Sequence, residues 1–226
     1  MALRICFTGA LIYLLSFACY AKEWKLSADE LNIKVYSRQL PDTPLDEIKA
    51  ESIVQADIAK LAKIMGDIEN FNDWMFACLE SKIINRKNGV DFKLYYVHET
   101  PWPYKNRDVI LQIRATDEFT NGKFQVEMNS IDSNYSANKN LVRMSAMRGS
   151  WIFQKVSDSQ TRVIFKLFVN PSGNVPFPFV NSGNVKIVLE TFKGLKRIAN
   201  NKAYVKATEE EEVKELERAL QDSGIM

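Results

Sequence analysis

From Cys78 to Val169 apolar and polar side chains alternate, the period-two pattern of strands with one face buried. Strands are expected at about Ser81 to Arg86 and Val90 to Thr100, with Lys87-Asn88-Gly89 between them as a hairpin signal. Others follow at Asp108 to Ala115, Lys123 to Asn129, Arg143 to Val156 and Thr161 to Asn170. Asn121-Gly122 and Ser157-Asp158-Ser159 supply the turns. Upstream, Ile33 to Arg38 and Ile48 to Gln55 read as two more strands around Pro41-Asp42-Thr43-Pro44. Asp57 can cap a helix that shows Ile58, Leu61, Ala62 and Met65 on one face and ends at Gly66, and Asn70 to Trp74 starts a short helical piece.

The period changes once more near the end. After Pro176 and Pro178, Asn181 or Ser182 can cap a helix in which Val185, Val188, Leu189, Phe192, Leu195, Ile198 and Ala199 recur at three- and four-residue spacing. That stripe is about four turns long. Short helices, a long antiparallel meander and a final amphipathic helix predict an α+β domain in which a curved sheet wraps the last helix.

Both ends of the chain differ in kind from this body. Arg4, the apolar run Ile5 to Phe17 and the small residues before Lys22 describe a secretory signal peptide over residues 1–21. The run is short for a membrane span, which takes about 20 residues. The protein is therefore expected in a periplasm or secreted, with lipoprotein anchoring at Cys19 as the lesser alternative. Residues 22–207 form the domain, and residues 208–226 an acidic helical tail with a Thr208/Glu211 capping box.

Composition then narrows the chemistry. The chain has 226 residues, enough for one large core, and a formal charge of +2 that gives no field for nucleic acid. Cleavage of the leader leaves Cys78 alone, so no internal disulfide is expected, and Cys78 reads as a small buried hydrophobe. His98 is the single histidine. It sits in period two with Phe92, Leu94 and Tyr96, where a packed ring is the ordinary role. One histidine and one cysteine cannot make a usual zinc site, and the glycines stand singly at turns, so neither a metal nor a phosphate-bound cofactor is expected.

Four stretches carry a resemblance to a known family. They are Phe71-Asn72-Asp73-Trp74-Met75; Val97-His98-Glu99-Thr100 with Pro101-Trp102-Pro103 and Asn106-Arg107-Asp108-Val109; Met147-Arg148-Gly149-Ser150-Trp151; and Asn170-Pro171-Ser172-Gly173-Asn174-Val175-Pro176 with Phe179-Val180-Asn181. Over roughly Trp24 to Lys206 the chain resembles the START lipid-transfer domains. The resemblance implies a helix-grip fold, no catalytic residues, and a tunnel holding one sterol-, phospholipid- or fatty-acid-like lipid for transfer or sensing. It implies an acid-base pair in the tunnel, for which Glu99 and Arg114 are the candidates. Arg114 is one residue out of step with the Arg107-Asp108 motif, so a bulge must restore its facing, or Gln112 or another residue takes the place.

The expected lining of that tunnel is Tyr95, Val97, Glu99, Trp102, Ile110, Gln112, Arg114, Phe124, Val126, Met128, Trp151 and Phe165 from the sheet, with Val188 and Phe192 from the helix. Lys193, Lys196 and Arg197, on a basic helix face with Lys186, Lys202 and Lys206, are expected to touch anionic headgroups transiently. The lipid is the expected partner of a monomer. Two other readings stay open: a cyclase or hydrolase of the wider fold acting on a hydrophobic polyketide-like substrate, and a filled core with no cavity.

Overall fold

The computed structural model describes residues 22–118 and 121–201. The leader, the acidic tail, Lys202 and Lys206 lie outside the described residues. The strands are β1 Lys25–Glu30, β2 Ile33–Gln39, β3 Asp46–Val54, β4 Cys78–Asn88, β5 Asp91–His98, β6 Arg107–Glu118, β7 Lys123–Ser130, β8 Val142–Arg143, β9 Ala146–Ser157 and β10 Gln160–Asn170. The helices are α1, Ile58–Gly66, and α2, Phe177–Ala199, and a short 3-10 helix spans Ile68–Asp73. Nine strands make one antiparallel sheet in the order β1-β2-β3-β10-β9-β7-β6-β5-β4, and β8 adds in parallel to β6.

Local chemistry accounts for most element ends. The Asp57 side chain accepts from the Lys60 amide at 2.8 Å and starts α1. Gly122 takes the left-handed φ of +64° that the β7 turn needs. The unbroken strand expected over Arg143 to Val156 is two strands, because β8 leaves the sheet to pair with β6. The sheet also begins one strand earlier than the alternation showed. β1 is mostly exposed, so no apolar period marks it.

Helix α2 starts at Phe177, one turn before the expected cap. Pro178 falls in its first turn, where a missing N–H costs nothing because no acceptor exists for it. Asn181 is then free for another use. Its side chain accepts from the Asp46 amide at 2.9 Å and donates to the Pro44 carbonyl at 3.1 Å, tying the β2–β3 loop to the helix.

One half of α2 is pressed onto the sheet. Val188, Phe192, Leu195 and Ala199 are buried, and the helix packs against β1, β2, β3 and β10. Trp151 of β9 lies at the centre of this contact, stacked on Phe165 at 4.0 Å between ring centroids and on Phe192 at 5.6 Å. Trp74 meets Trp151 edge-on at 6.2 Å. Lys193 bonds to Glu30, and Lys196 to the Leu31 carbonyl, which fastens the helix to the β1–β2 turn.

The closest approach is at Gly194, where an added Cβ would lie 1.9 Å from the Trp74 carbonyl oxygen. At Gly183, eleven residues earlier in the same helix, a Cβ would meet nothing within 4 Å. Alanine should therefore act with opposite signs at the two positions. Gly183→Ala is expected to gain up to about 1 kcal/mol from helix propensity. Gly194→Ala is expected to lose about 1–3 kcal/mol from overpacking despite the same propensity gain. Urea unfolding of the two variants checks this, and equal effects would contradict the described seating of α2.

Candidate ligand cavity

Because α2 seats on the β1–β3 and β10 side, its first three turns stand away from strands β4 to β7. The space between encloses about 630 Å³. Its floor follows from strand register. Phe92, Ile113, Met128, Gly149 and Leu167 form one row across β5, β6, β7, β9 and β10. Ala115, Val126, Trp151 and Phe165 form the next row. Side chains from both rows line the cavity, together with Leu94, Leu111 and Phe124. Met65 of α1 and Phe71 of the 3-10 helix close one side, and Val180, Asn184, Ile187 and Thr191 of α2 form the roof. Those four recur at i, i+4, i+7 and i+11, a stripe beside the one that meets the sheet.

The polar lining gathers at one end. His98 closes β5 and faces Arg107, the first residue of β6. Both line the cavity, as do Glu99, Thr100 and Asn184. Burial, and then the charge of Arg107, push the His98 imidazole down to about 4, so the ring is neutral near pH 7. Arg107 donates to the carbonyls of Lys105, Pro171 and Ser172 and so holds the loop that leads into α2. The Thr100 hydroxyl, the Asn184 side-chain nitrogen and the Trp151 indole nitrogen are buried with no hydrogen-bond partner among the described residues.

The expected lining residues divide into two groups. Phe124, Val126, Met128, Trp151, Phe165 and Glu99 do line the cavity. Tyr95, Val97 and Ile110 do not: they pack with Ile84, Ile131, Tyr135 and Leu141 on the opposite, convex face. The misreading has a physical cause. Both faces of β5 are covered, so both of its period-two series are apolar, and only Phe92, Leu94, Tyr96 and His98 face inward. Trp102 is 92% exposed on the β5–β6 loop. Val188 and Phe192 lie under the roof in the helix–sheet contact, one helical stripe away from the cavity.

The expected acid-base pair is absent as well. The β6 register runs unbroken against β5 from Arg107 to Arg114, so no bulge turns Arg114 inward. Its side chain is 69% exposed and lies 4.0 Å from Asp91. Gln112 shares that outer face and donates to Asp91 at 2.5 Å and to the Phe92 carbonyl at 3.1 Å. The inward cation of β6 is Arg107, at the first step of the motif. Asp108, next to it, turns outward into a bidentate pair with Arg143 at 2.9 Å.

The three cations expected at membranes are engaged within the chain. Lys193 bonds to Glu30 and Glu190, Lys196 to the Leu31 carbonyl and Arg197 to the Asp73 carbonyl. Cys78 is buried beside Ser81, and burial pushes its thiol up, in keeping with a packing role. Sequence reasoning missed Asn184, Thr100 and Arg107 as a group. Asn184 carried a signal, being a polar residue within the Val180-Asn184-Ile187-Thr191 stripe.

A curved antiparallel sheet gripping a long terminal helix, with an apolar cavity between them, defines the helix-grip class of domain. The chain belongs to the START domain family, whose model matches residues 14–203. Among solved structures, a STAR-related lipid transfer protein from Xanthomonas axonopodis superposes with a TM-score of 0.72 at 24% identity, covering 79% of this chain and 99% of that one. Human STARD10 gives a TM-score of 0.74 at 21% identity, with 84% and 78% covered. An uncharacterised protein of Pseudomonas aeruginosa is 26% identical over 200 residues, which is 88% of this chain and 98% of that protein.

His98 also makes a pH prediction. Its folded pKa near 4 lies below the ordinary 6.5, so the native state binds fewer protons than the unfolded state between those values. The resulting stability is complete above about pH 6.5 and falls, by up to about 3 kcal/mol, as pH drops towards 4. Urea midpoints at pH 7 and pH 4.5 should differ less for His98→Gln than for the parent protein. Identical pH dependence would show that the imidazole is not held neutral by its surroundings.

Proposed function

We propose that the domain holds one hydrophobic lipid molecule in this cavity and shields it from water for transfer or sensing, without covalent chemistry. The observation that carries this reading is the 630 Å³ space itself, floored almost wholly by apolar side chains and falling within the usual size range of ligand sites. A filled core is the alternative that such a volume argues against. At about 25 cal/mol per Å², burying roughly 400 Å² of lipid supplies on the order of 10 kcal/mol before ordering costs. That magnitude retains a lipid and still permits release.

Family membership and the lipid transfer described for the Xanthomonas axonopodis neighbour support the same reading. Exchange requires the roof to move. Opening at the first half of α2 and the loop from Pro171 would leave the second half pressed onto the sheet. It must release the Asn181 bonds to Asp46 and Pro44 and the Arg107 bonds to the Pro171 and Ser172 carbonyls. Contact with an anionic membrane during loading belongs to the proposal. Lys186, whose ammonium lies 5.6 Å from the Phe76 ring centroid at the cavity wall, is better placed for it than the internally bonded Lys193, Lys196 and Arg197. The apolar run from Ile5 to Phe17 after Arg4 supports a further part of the proposal, that the carrier works outside the cytoplasm, in a periplasm or secreted.

Filling the cavity tests the proposal without removing any polar group. In Ile113→Phe/Val126→Phe two rings enter the floor of the space. Retention of radiolabelled lipid by gel filtration should fall by about tenfold or more, while circular dichroism and thermal unfolding show the fold intact. Undiminished retention by a folded variant would place lipid binding elsewhere.

A further inference from the structure

We infer that the ligand enters in one orientation, with a carboxylate at the end framed by Asn184, Thr100, Arg107 and His98, and that its class is a single-chain, long-chain carboxylic acid. The inference rests on the carrier reading above and adds the chemistry of the headgroup.

The two ends of the cavity differ in chemistry. Towards Phe124 the wall is Phe71, Phe92, Ile113 and Val126, with no charged side chain among the described residues. The Trp151 indole nitrogen, on the strand beside Val126, offers there a single neutral donor. At the His98 end the wall is rich in donors. Asn184 is 4% exposed and its side-chain nitrogen has no acceptor; the Thr100 hydroxyl is likewise buried without a partner. Buried donors are rarely left unpaired, because each has given up its water. Asn184 in the roof and Thr100 on the β5–β6 loop both line the cavity, and together they call for an acceptor that the described residues do not supply.

Charge narrows the acceptor further. Arg107 is 3% exposed, and the contacts of its guanidinium are the neutral carbonyls of Lys105, Pro171 and Ser172 and the ring of Tyr104. Carbonyl dipoles hold the group in place but leave its charge uncompensated, an unfavourable state for a buried cation. The neighbouring acids do not compensate it: Asp108 faces outward onto Arg143, and Glu99 is exposed. A carboxylate supplies the missing negative charge, and its two oxygens can accept from several donors at once. A sterol or alcohol hydroxyl supplies neither the charge nor the capacity.

The volume favours a single-chain acid over bulkier anionic lipids. At about 30 Å³ per water-sized group, 630 Å³ takes roughly 20 heavy atoms. That suits one acyl chain with its carboxylate, whereas a diacyl phospholipid is far larger.

Retention of tritiated palmitate by delipidated protein, competed with unlabelled palmitate, methyl palmitate, hexadecanol or cholesterol, tests the inference. The acid should compete at about tenfold lower concentration than the ester or the alcohol, the discrimination expected of a charge-assisted contact. Asn184→Leu and Thr100→Val should each weaken palmitate several-fold while leaving competition by the ester unchanged, and neither residue holds the loop as Arg107 does. Equal competition by acid, ester and alcohol, tighter binding of cholesterol, or variants that retain palmitate fully would overturn the headgroup assignment and leave the carrier reading standing. Retention of none of tritiated palmitate, tritiated cholesterol and tritiated phosphatidylcholine would instead remove the carrier reading.

Discussion

The structure depends on one asymmetric contact. Helix α2 is held closest to the sheet along its second half, through the Trp151 ring stacked on Phe165 and Phe192 and through the bare backbone of Gly194 against Trp74. Its first half is fastened at its start, by Asn181 and Val180. A 23-residue helix is stiff and spans about 35 Å. Once one half is seated on β1–β3 and β10, the other half must project over β4 to β7 at a distance the helix cannot shorten. The cavity is a consequence of that geometry. Phe192 does not fill it, because it lies on a different stripe of the helix, while Trp151 and Phe165 only wall it.

Such a gap is costly to keep empty. Apolar walls without partners forfeit dispersion contacts, and a cavity destabilises in proportion to its volume. The buried donors at the His98 end add to the cost. The protein offsets these terms elsewhere: in the aromatic stack, in the outer-face cluster of Tyr95, Val97 and Ile110, and in the Asp108–Arg143 pair beneath β8. The sheet is covered on its convex side where it is hollow on its concave side. That cover buries the outer side of β5 and of the start of β6, which makes their facing hard to read from sequence.

Much of the fold was legible in the sequence. The meander, the α1 cap at Asp57 and the terminal amphipathic helix each follow from a local period or a capping residue, and those signals survive without tertiary context. β1 was not legible, because an exposed edge strand carries no apolar alternation. The site was legible only in part. On β7, β9 and β10 the inward residues Phe124, Val126, Met128, Trp151 and Phe165 stand in clear period. On β5 and the start of β6 burial of both faces erases the phase, and Tyr95, Val97 and Ile110 lie on the outer side. Gln112 and Arg114 alternate clearly with Leu111 and Ile113, and only the resemblance pointed them inward. Trp102 shows the opposite failure: an indole in a proline-flanked loop looks like lining but stands in solvent. The unpaired state of Asn184 and Thr100 depends on what does not approach them, and no sequence pattern reports that.

The central claim is that the space under α2 exists to hold one lipid. Native mass spectrometry of the domain purified from its own host under mild conditions tests it most directly. The account predicts a single adduct of lipid mass at close to one per chain, released on gentle activation and lost from a variant whose cavity has been filled. A protein that arrives bare, and stays bare after incubation with mixed lipid vesicles, would contradict it.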